Sequence, residues 1–85
     1  MRIYYSSKFE REYRKLTPKL KALAEEKEVL FRANPFDKKL DTHKLDGWLR
    51  GYWAFSIDSK YRIIFEFAKK NTAWFHSVGN HSIYK

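Results

Sequence analysis

The segment Val78-Gly79-Asn80-His81-Ser82-Ile83-Tyr84-Lys85 sets a histidine and a tyrosine beside a glycine turn. An imidazole changes charge near neutrality, so a segment of this kind can move protons. The chain carries a formal net charge of +8, from eighteen Lys and Arg against ten Asp and Glu, which favours a polyanion as the neighbour of that proton. Upstream, His43, Lys44, Arg50 and Arg62 add a second imidazole and three cations able to hold a phosphate while the proton moves. The reaction these residue types suit is displacement at a phosphodiester. It needs a base for the attacking hydroxyl, cations for the crowded phosphorane and an acid for the leaving oxygen, and it needs neither metal nor organic cofactor.

In that scheme His81 is the candidate general acid or base, and Arg62 and Lys44 are the candidate electrostatic stabilisers. His43 takes the complementary proton role or positions substrate, and the sequence does not say which histidine does which. Trp48, in a loop beside Gly47, is the tryptophan best placed to stack on a base, a contact worth about 1–3 kcal/mol. Blander readings stand beside these. His81 could be a surface histidine in a frayed tail, His43 a turn cap, and Arg62 the partner of Asp58 or Glu66 in a salt bridge. His76, inside an apolar strand between Phe75 and Ser77, reads as a core or surface histidine rather than a catalytic one. Charge alone does not separate a nucleic acid from an acidic protein that covers the same surface.

The elements that must position these residues can be read from patterning. Eighty-five residues make one domain, 1–85, and a chain of this length buries only roughly 60–65% of its unfolded surface. Three Trp, six Tyr and seven Phe supply a core with few rotatable bonds. Ile3–Tyr5 is a short strand, and Ser7-Lys8-Phe9-Glu10 has the capping-box spacing that starts a helix, with Phe9, Tyr13 and Leu16 at helical intervals. Thr17-Pro18 starts a second helix that runs to about Ala33, with Leu20, Leu23, Ala24, Leu30 and Phe31 on its inner stripe. Asn34-Pro35 stops it.

From Asn34 to Gly51 the sequence has turn residues and charges without periodicity, which predicts a surface loop. The period then becomes two over Tyr52–Ile57, Tyr61–Phe67 and Thr72–Val78, a three-stranded antiparallel meander. The prediction is an α+β domain of order β-α-α-β-β-β. A two-helix hairpin packs on one face of an antiparallel sheet, and the other face is free for function. Lys8, Arg11, Arg14, Lys15, Lys19 and Lys21 make a basic run on the hairpin, a solvated face that could also meet RNA phosphates. No cysteine argues for an oxidising compartment, and no apolar run suggests a signal peptide or a bilayer span. A cytoplasmic, uncleaved protein with no membrane partner is expected.

The order of elements, the loop His43-Lys44-Leu45-Asp46-Gly47, the strand Tyr61-Arg62-Ile63-Ile64-Phe65 and the ending Gly79-Asn80-His81-Ser82-Ile83-Tyr84 together resemble the RelE/ParE superfamily of bacterial toxins. The resemblance spans essentially the whole chain. It implies a toxin of a type II toxin–antitoxin system. In the RelE-like branch such a toxin is a ribosome-dependent mRNA endoribonuclease that inhibits translation, and in the ParE-like branch a DNA gyrase inhibitor without nuclease activity. A degenerate member that only binds RNA is a third reading.

His43 and His81 resemble the histidines of YafQ-type interferases, and Arg62 aligns with a phosphate-contacting arginine of RelE. Lys60 and Ser56 stand near positions where YafQ-type proteins place further functional residues. Trp53 and Phe55 occupy the positions of two catalytic lysines in RelE and cannot act as they do. Tyr84 lies three residues after His81, where many relatives place their terminal aromatic four residues after. The implied partners are the ribosome with its mRNA and a cognate antitoxin, whose acidic or amphipathic segment would fold over the basic surface.

Overall fold

In the computed structural model, which describes residues 1–80 and Ile83, both helices begin where the sequence supplies an oxygen acceptor. Strand β1 (Arg2–Tyr5) leads into α1 (Ser7–Arg14), and Ser6 is the N-cap, its Oγ accepting from the Phe9 N–H at 3.0 Å. The N-cap is therefore Ser6 rather than Ser7, and no capping box forms around it, because the residue three on is Phe9. The reason for the shift is tertiary: the Ser6 N–H donates to the Phe75 carbonyl at 3.0 Å, and its hydroxyl donates to the His76 carbonyl at 2.9 Å. Helix α2 (Pro18–Ala33) starts as expected, with Thr17 accepting from the Leu20 N–H at 3.2 Å and Pro18 in the first turn. It ends at Asn34, which the following proline holds extended.

The segment from Asn34 to Gly51 is more ordered than a plain surface loop. It contains two 3₁₀ turns, Lys38–Leu40 and Gly47–Leu49, and a two-residue strand β2 (His43–Lys44) between them. Each 3₁₀ turn buries one leucine, Leu40 and Leu49, and apolar burial rather than periodicity fixes the segment. The Asp37 carboxylate caps the first turn by accepting from the Lys39 N–H at 2.9 Å. Three strands follow, β3 (Trp53–Ser56), β4 (Arg62–Phe67) and β5 (Thr72–Gly79).

The sheet order is β1-β5-β4-β3-β2. β3 to β5 are antiparallel as the meander predicts, and β2 extends them antiparallel from the segment read as a loop, but β1 pairs parallel with β5, Tyr4 opposite Trp74, so the sheet is mixed. Strand direction across a long connection is not encoded locally. Here the helical hairpin between β1 and β2 carries the chain back over one face and leaves β1 free to join the exposed edge of β5.

That face holds the core. Phe31 of α2 is fully buried among Phe55 at 5.0 Å, Phe65 at 4.8 Å and Phe75 at 5.3 Å between ring centroids, so one side chain joins the helix to three strands. Tyr5, Phe9 and Tyr13 continue the aromatic layer under α1.

Tyr5 gives the core edge a pH dependence. Burial, the hydrogen bond its hydroxyl donates to the Glu28 carboxylate at 2.7 Å, and that carboxylate's charge together push the phenol up to about 12, against the opposing pull of Arg32. The unfolded chain gives up this proton near pH 10 and the folded chain only near 12, so the stabilisation is complete below pH 10 and is lost as pH rises through that window. Urea titrations at pH 9 and 11.5 should show a larger stability loss for the wild type than for Tyr5→Phe. Equal losses would mean that the Glu28 contact does not hold the proton.

Candidate functional site

Cross-strand partners share a sheet face, so the register assigns each candidate to a side. Trp53, Phe65 and Phe75 form a row on the helix-packed face, and Lys44 pairs with Trp53. The Lys44 ammonium accordingly sits over the Trp53 ring at 5.5 Å from its centroid, a cation–π contact at the sheet edge. His43 pairs with Ala54, Ala54 with Ile64 and Ile64 with Ser77, a row on the opposite face. Ser56, Arg62 and Gly79 form the next row on that same face. His43 and Arg62 therefore share the face opposite the Phe31 core, two strands across and one row along, about 12 Å apart, and Lys44 does not join them.

This second face is not flat. The 3₁₀ turn Gly47–Leu49 folds over it, and together with α1 it encloses a cleft of about 300 Å³. Trp48, Tyr52, Ile64, His76 and Lys8 line the cleft, with Ile83 at its margin. Trp48 is 69% exposed, the most exposed aromatic in the described residues, and it forms the outer wall. Trp74 lies further along the same face, exposed and stacked on Tyr4 at 4.8 Å, so it is not a core residue.

His43 is exposed, and its Nδ1 lies 2.9 Å from the Asp41 carbonyl. A carbonyl oxygen only accepts, so Nδ1 carries the hydrogen and Nε2 holds the lone pair of the neutral ring. Asp41 reaches this position by adopting a left-handed conformation at φ 51°. The histidine is thus presented as a proton acceptor at Nε2, as well as closing a turn.

Arg62 is held back toward the β3–β4 turn. Its Nη1 donates to the Asp58 carbonyl at 2.7 Å and to the Tyr61 carbonyl at 3.2 Å, in place of a salt bridge to Asp58 or Glu66. The turn is an Asx turn in which Asp58 Oδ1 accepts from the Lys60 and Tyr61 N–H groups at 2.9 and 2.7 Å. Burial works against the Asp58 charge, but those two hydrogen bonds and the positive charges of Arg62 and Lys60 outweigh it and hold the carboxyl below its ordinary value. Lys60 and Arg50 are exposed at the two ends of the face, one in this turn and one just after the 3₁₀ turn. His81 and Tyr84 lie outside the described residues.

Several cleft residues have no signal in the sequence. Lys8 is part of the basic run, yet it donates to the Ser77 hydroxyl at 2.9 Å and stands 3.1 Å from Glu12. Glu12 also accepts from the Ser77 hydroxyl at 2.8 Å and from the Val78 N–H at 3.0 Å, and so pins α1 to β5. His76 pairs with Glu66, and its ring meets Tyr52 edge-on. A larger depression of about 510 Å³ lies between the helices, walled by Phe9, Tyr13, Val29, Glu28 and Arg32. Its described lining contains no histidine, and Tyr5, Glu28 and Arg32 within it are hydrogen-bonded to one another. Among the described residues no cluster of three His, Asp or Glu could hold a metal, and no helix is long and apolar enough to cross a membrane.

A five-stranded mixed sheet with one helical hairpin against it is a fold this chain shares with several solved toxin structures. The solved structures similar to this chain include YafQ from E. coli strain BL21(DE3), with a TM-score of 0.81 at 18% identity over 99% of this chain and 98% of that one. A YoeB/ParE toxin from Agrobacterium tumefaciens also has a TM-score of 0.81, at 14% identity over 95% of this chain and 99% of that one. In the E. coli DinJ–YafQ toxin–antitoxin complex, the matching chain has a TM-score of 0.68 at 22% identity, over 95% of this chain and 92% of that one. No family model matches the sequence, and no curated protein matches it significantly.

Proposed function

We propose that this chain is the toxin of a type II toxin–antitoxin system, and that it inhibits translation in the cytoplasm by cutting mRNA on the ribosome. The observation that carries the reading is the shared face of His43 and Arg62. A histidine with its Nδ1 committed to a carbonyl offers Nε2 for proton transfer, and an arginine stands on the same sheet face, which also carries, apart from these two residues, a cleft lined by an exposed tryptophan. The +8 charge of the chain supplies the sequence-independent attraction to phosphate.

In the reaction, the 2′-hydroxyl of one nucleotide attacks the adjacent phosphorus and the 5′-oxygen leaves, giving a 2′,3′-cyclic phosphate and a 5′-hydroxyl. His81 acts as general acid or base, His43 takes the complementary proton role, and Arg62 stabilises the charge of the phosphorane. Tyr84 assists the proton transfer. Trp48 stacks on a base, and Arg50 and Lys60 hold backbone phosphates along the path, while Lys44, turned to the other face over Trp53, adds only to the general positive field.

The partner follows from the similar structure solved as a toxin–antitoxin complex. A cognate antitoxin with an acidic or amphipathic segment covers the basic surface. The fold is also that of the YoeB/ParE toxin, which supports gyrase inhibition as the second reading. Primer extension on a reporter mRNA in a reconstituted translation reaction separates the two. Wild-type protein should create new 5′ ends at defined codons, and His81→Ala should create none. Growth inhibition with an intact message, together with a block of DNA supercoiling in vitro, would assign the gyrase reading instead.

A further inference from the structure

His76 has no part in the reaction as drawn above, and a histidine in an apolar strand is ordinarily structural. The sheet register places it differently. Along β5 the pairing with β4 is regular up to Phe75, opposite Phe65, but the next residue of β4, Ile64, faces Ser77. His76 is the extra residue of a β-bulge. Bulges re-aim a side chain and are common beside active sites. Here the bulge lets both Phe75 and Val78 enter the core, although they are three residues apart, and His76 lines the cleft on the other face.

The ring is held on two sides. Its centroid lies 5.1 Å from that of Tyr52, at an interplanar angle of 89°. Nε2 lies 3.0 Å from Glu66 Oε1. An ionised carboxylate only accepts, so Nε2 carries the hydrogen and Nδ1 holds the lone pair, in a side chain that is 31% exposed. A histidine whose far nitrogen is fixed by a carboxylate has the tautomer and the counter-charge that a general base requires, because the carboxylate stabilises the imidazolium as it forms. A salt bridge serving stability alone would not need a bulge that turns the ring toward a cleft beside an exposed tryptophan.

We propose that His76, positioned by Glu66, is the general base of this cleft, accepting the 2′-hydroxyl proton of an unpaired ribonucleotide seated against Trp48. The proposal rests on the endonuclease reading and assigns a proton role within it. The O2′–H bond breaks as Nδ1 takes the proton, the O2′–P bond forms and the P–O5′ bond breaks. The leaving O5′ takes its proton from a second imidazolium, so that of the two proton roles assigned to His43 and His81 the acid stays with one of them and the base passes to His76. Glu66 does not touch the substrate and acts as a positioning residue. Among the described residues, the other charged or titratable groups around the ring are Tyr52 from the β3 side and Lys8 from α1, with Glu12 behind Ser77.

The test compares wild type, His76→Gln and Glu66→Gln in single-turnover cleavage of ribosome-bound mRNA across pH 5 to 9. Glutamine keeps a donor for Glu66 but cannot transfer a proton. His76→Gln should fold with an unchanged melting temperature and cleave roughly 10²–10⁴-fold more slowly, with the loss in the rate at saturating protein. Its pH–rate profile should lose one limb. Glu66→Gln should be slowed less and keep both limbs. Cleavage by His76→Gln within threefold of wild type and with the same profile would overturn the assignment and leave the endonuclease intact. Absence of cleavage by wild type would overturn both, and the fold of the variant, read by circular dichroism, separates loss of the base from loss of the structure.

Discussion

Phe31→Ala is expected to cost about 3–5 kcal/mol of stability, the range for removing a buried aromatic and leaving a cavity. The residue is fully buried and touches aromatic rings on β3, β4 and β5, so no single neighbour can relax into the space. A domain of this length has roughly 4–13 kcal/mol in all. The variant should therefore melt at least about 12 °C below wild type, since each kcal/mol shifts a domain of this size by about 4–8 °C. Phe31→Leu, which keeps most of the volume, should lose less. A drop under about 1 kcal/mol for Phe31→Ala would mean that the helical hairpin is held to the sheet by other contacts, such as the Glu12 bridge from α1 to β5.

His43→Ala should slow mRNA cleavage by roughly 10²–10⁴-fold, the contribution of one positioned acid or base, while thermal stability changes little. The side chain is exposed on a two-residue edge strand, and its only hydrogen bond among the described residues is to the Asp41 carbonyl, so little packing is lost with it. His43→Asn separates the roles. If the histidine merely closes a turn, asparagine should restore most of the rate, because its amide can donate to the same carbonyl. If Nε2 transfers a proton, asparagine should be as slow as alanine. The wild-type profile should be a bell with limbs between about pH 5 and 8, and a flat profile would remove paired imidazoles from the mechanism. Toxicity undiminished in His43→Ala would favour the gyrase reading.

Much of the scaffold was legible in the residues. The Thr17-Pro18 start and the Asn34-Pro35 stop mark α2 because capping and proline restrictions are local. The period-two runs around Phe55, Phe65 and Phe75 mark the strands because alternation follows from the pleat. The extra residue at His76 was not legible, because a bulge exists only relative to a partner strand. Nor was the separation of Lys44 from His43 onto opposite faces, which requires knowing that these two residues pair with Trp53 and Ala54. The shift of the α1 cap from Ser7 to Ser6 has the same origin, since a carbonyl from β5 selects the serine.

The sequence by itself determined the element order, the aromatic core, the basic charge and the resemblance to a toxin superfamily, because each depends on residue types and near neighbours. Tertiary structure alone decided the parallel edge strand, the roofed cleft, and which titratable groups face it. Those depend on register between strands distant in the chain, and a shift of one residue in that register would exchange every side chain between the core and the open face.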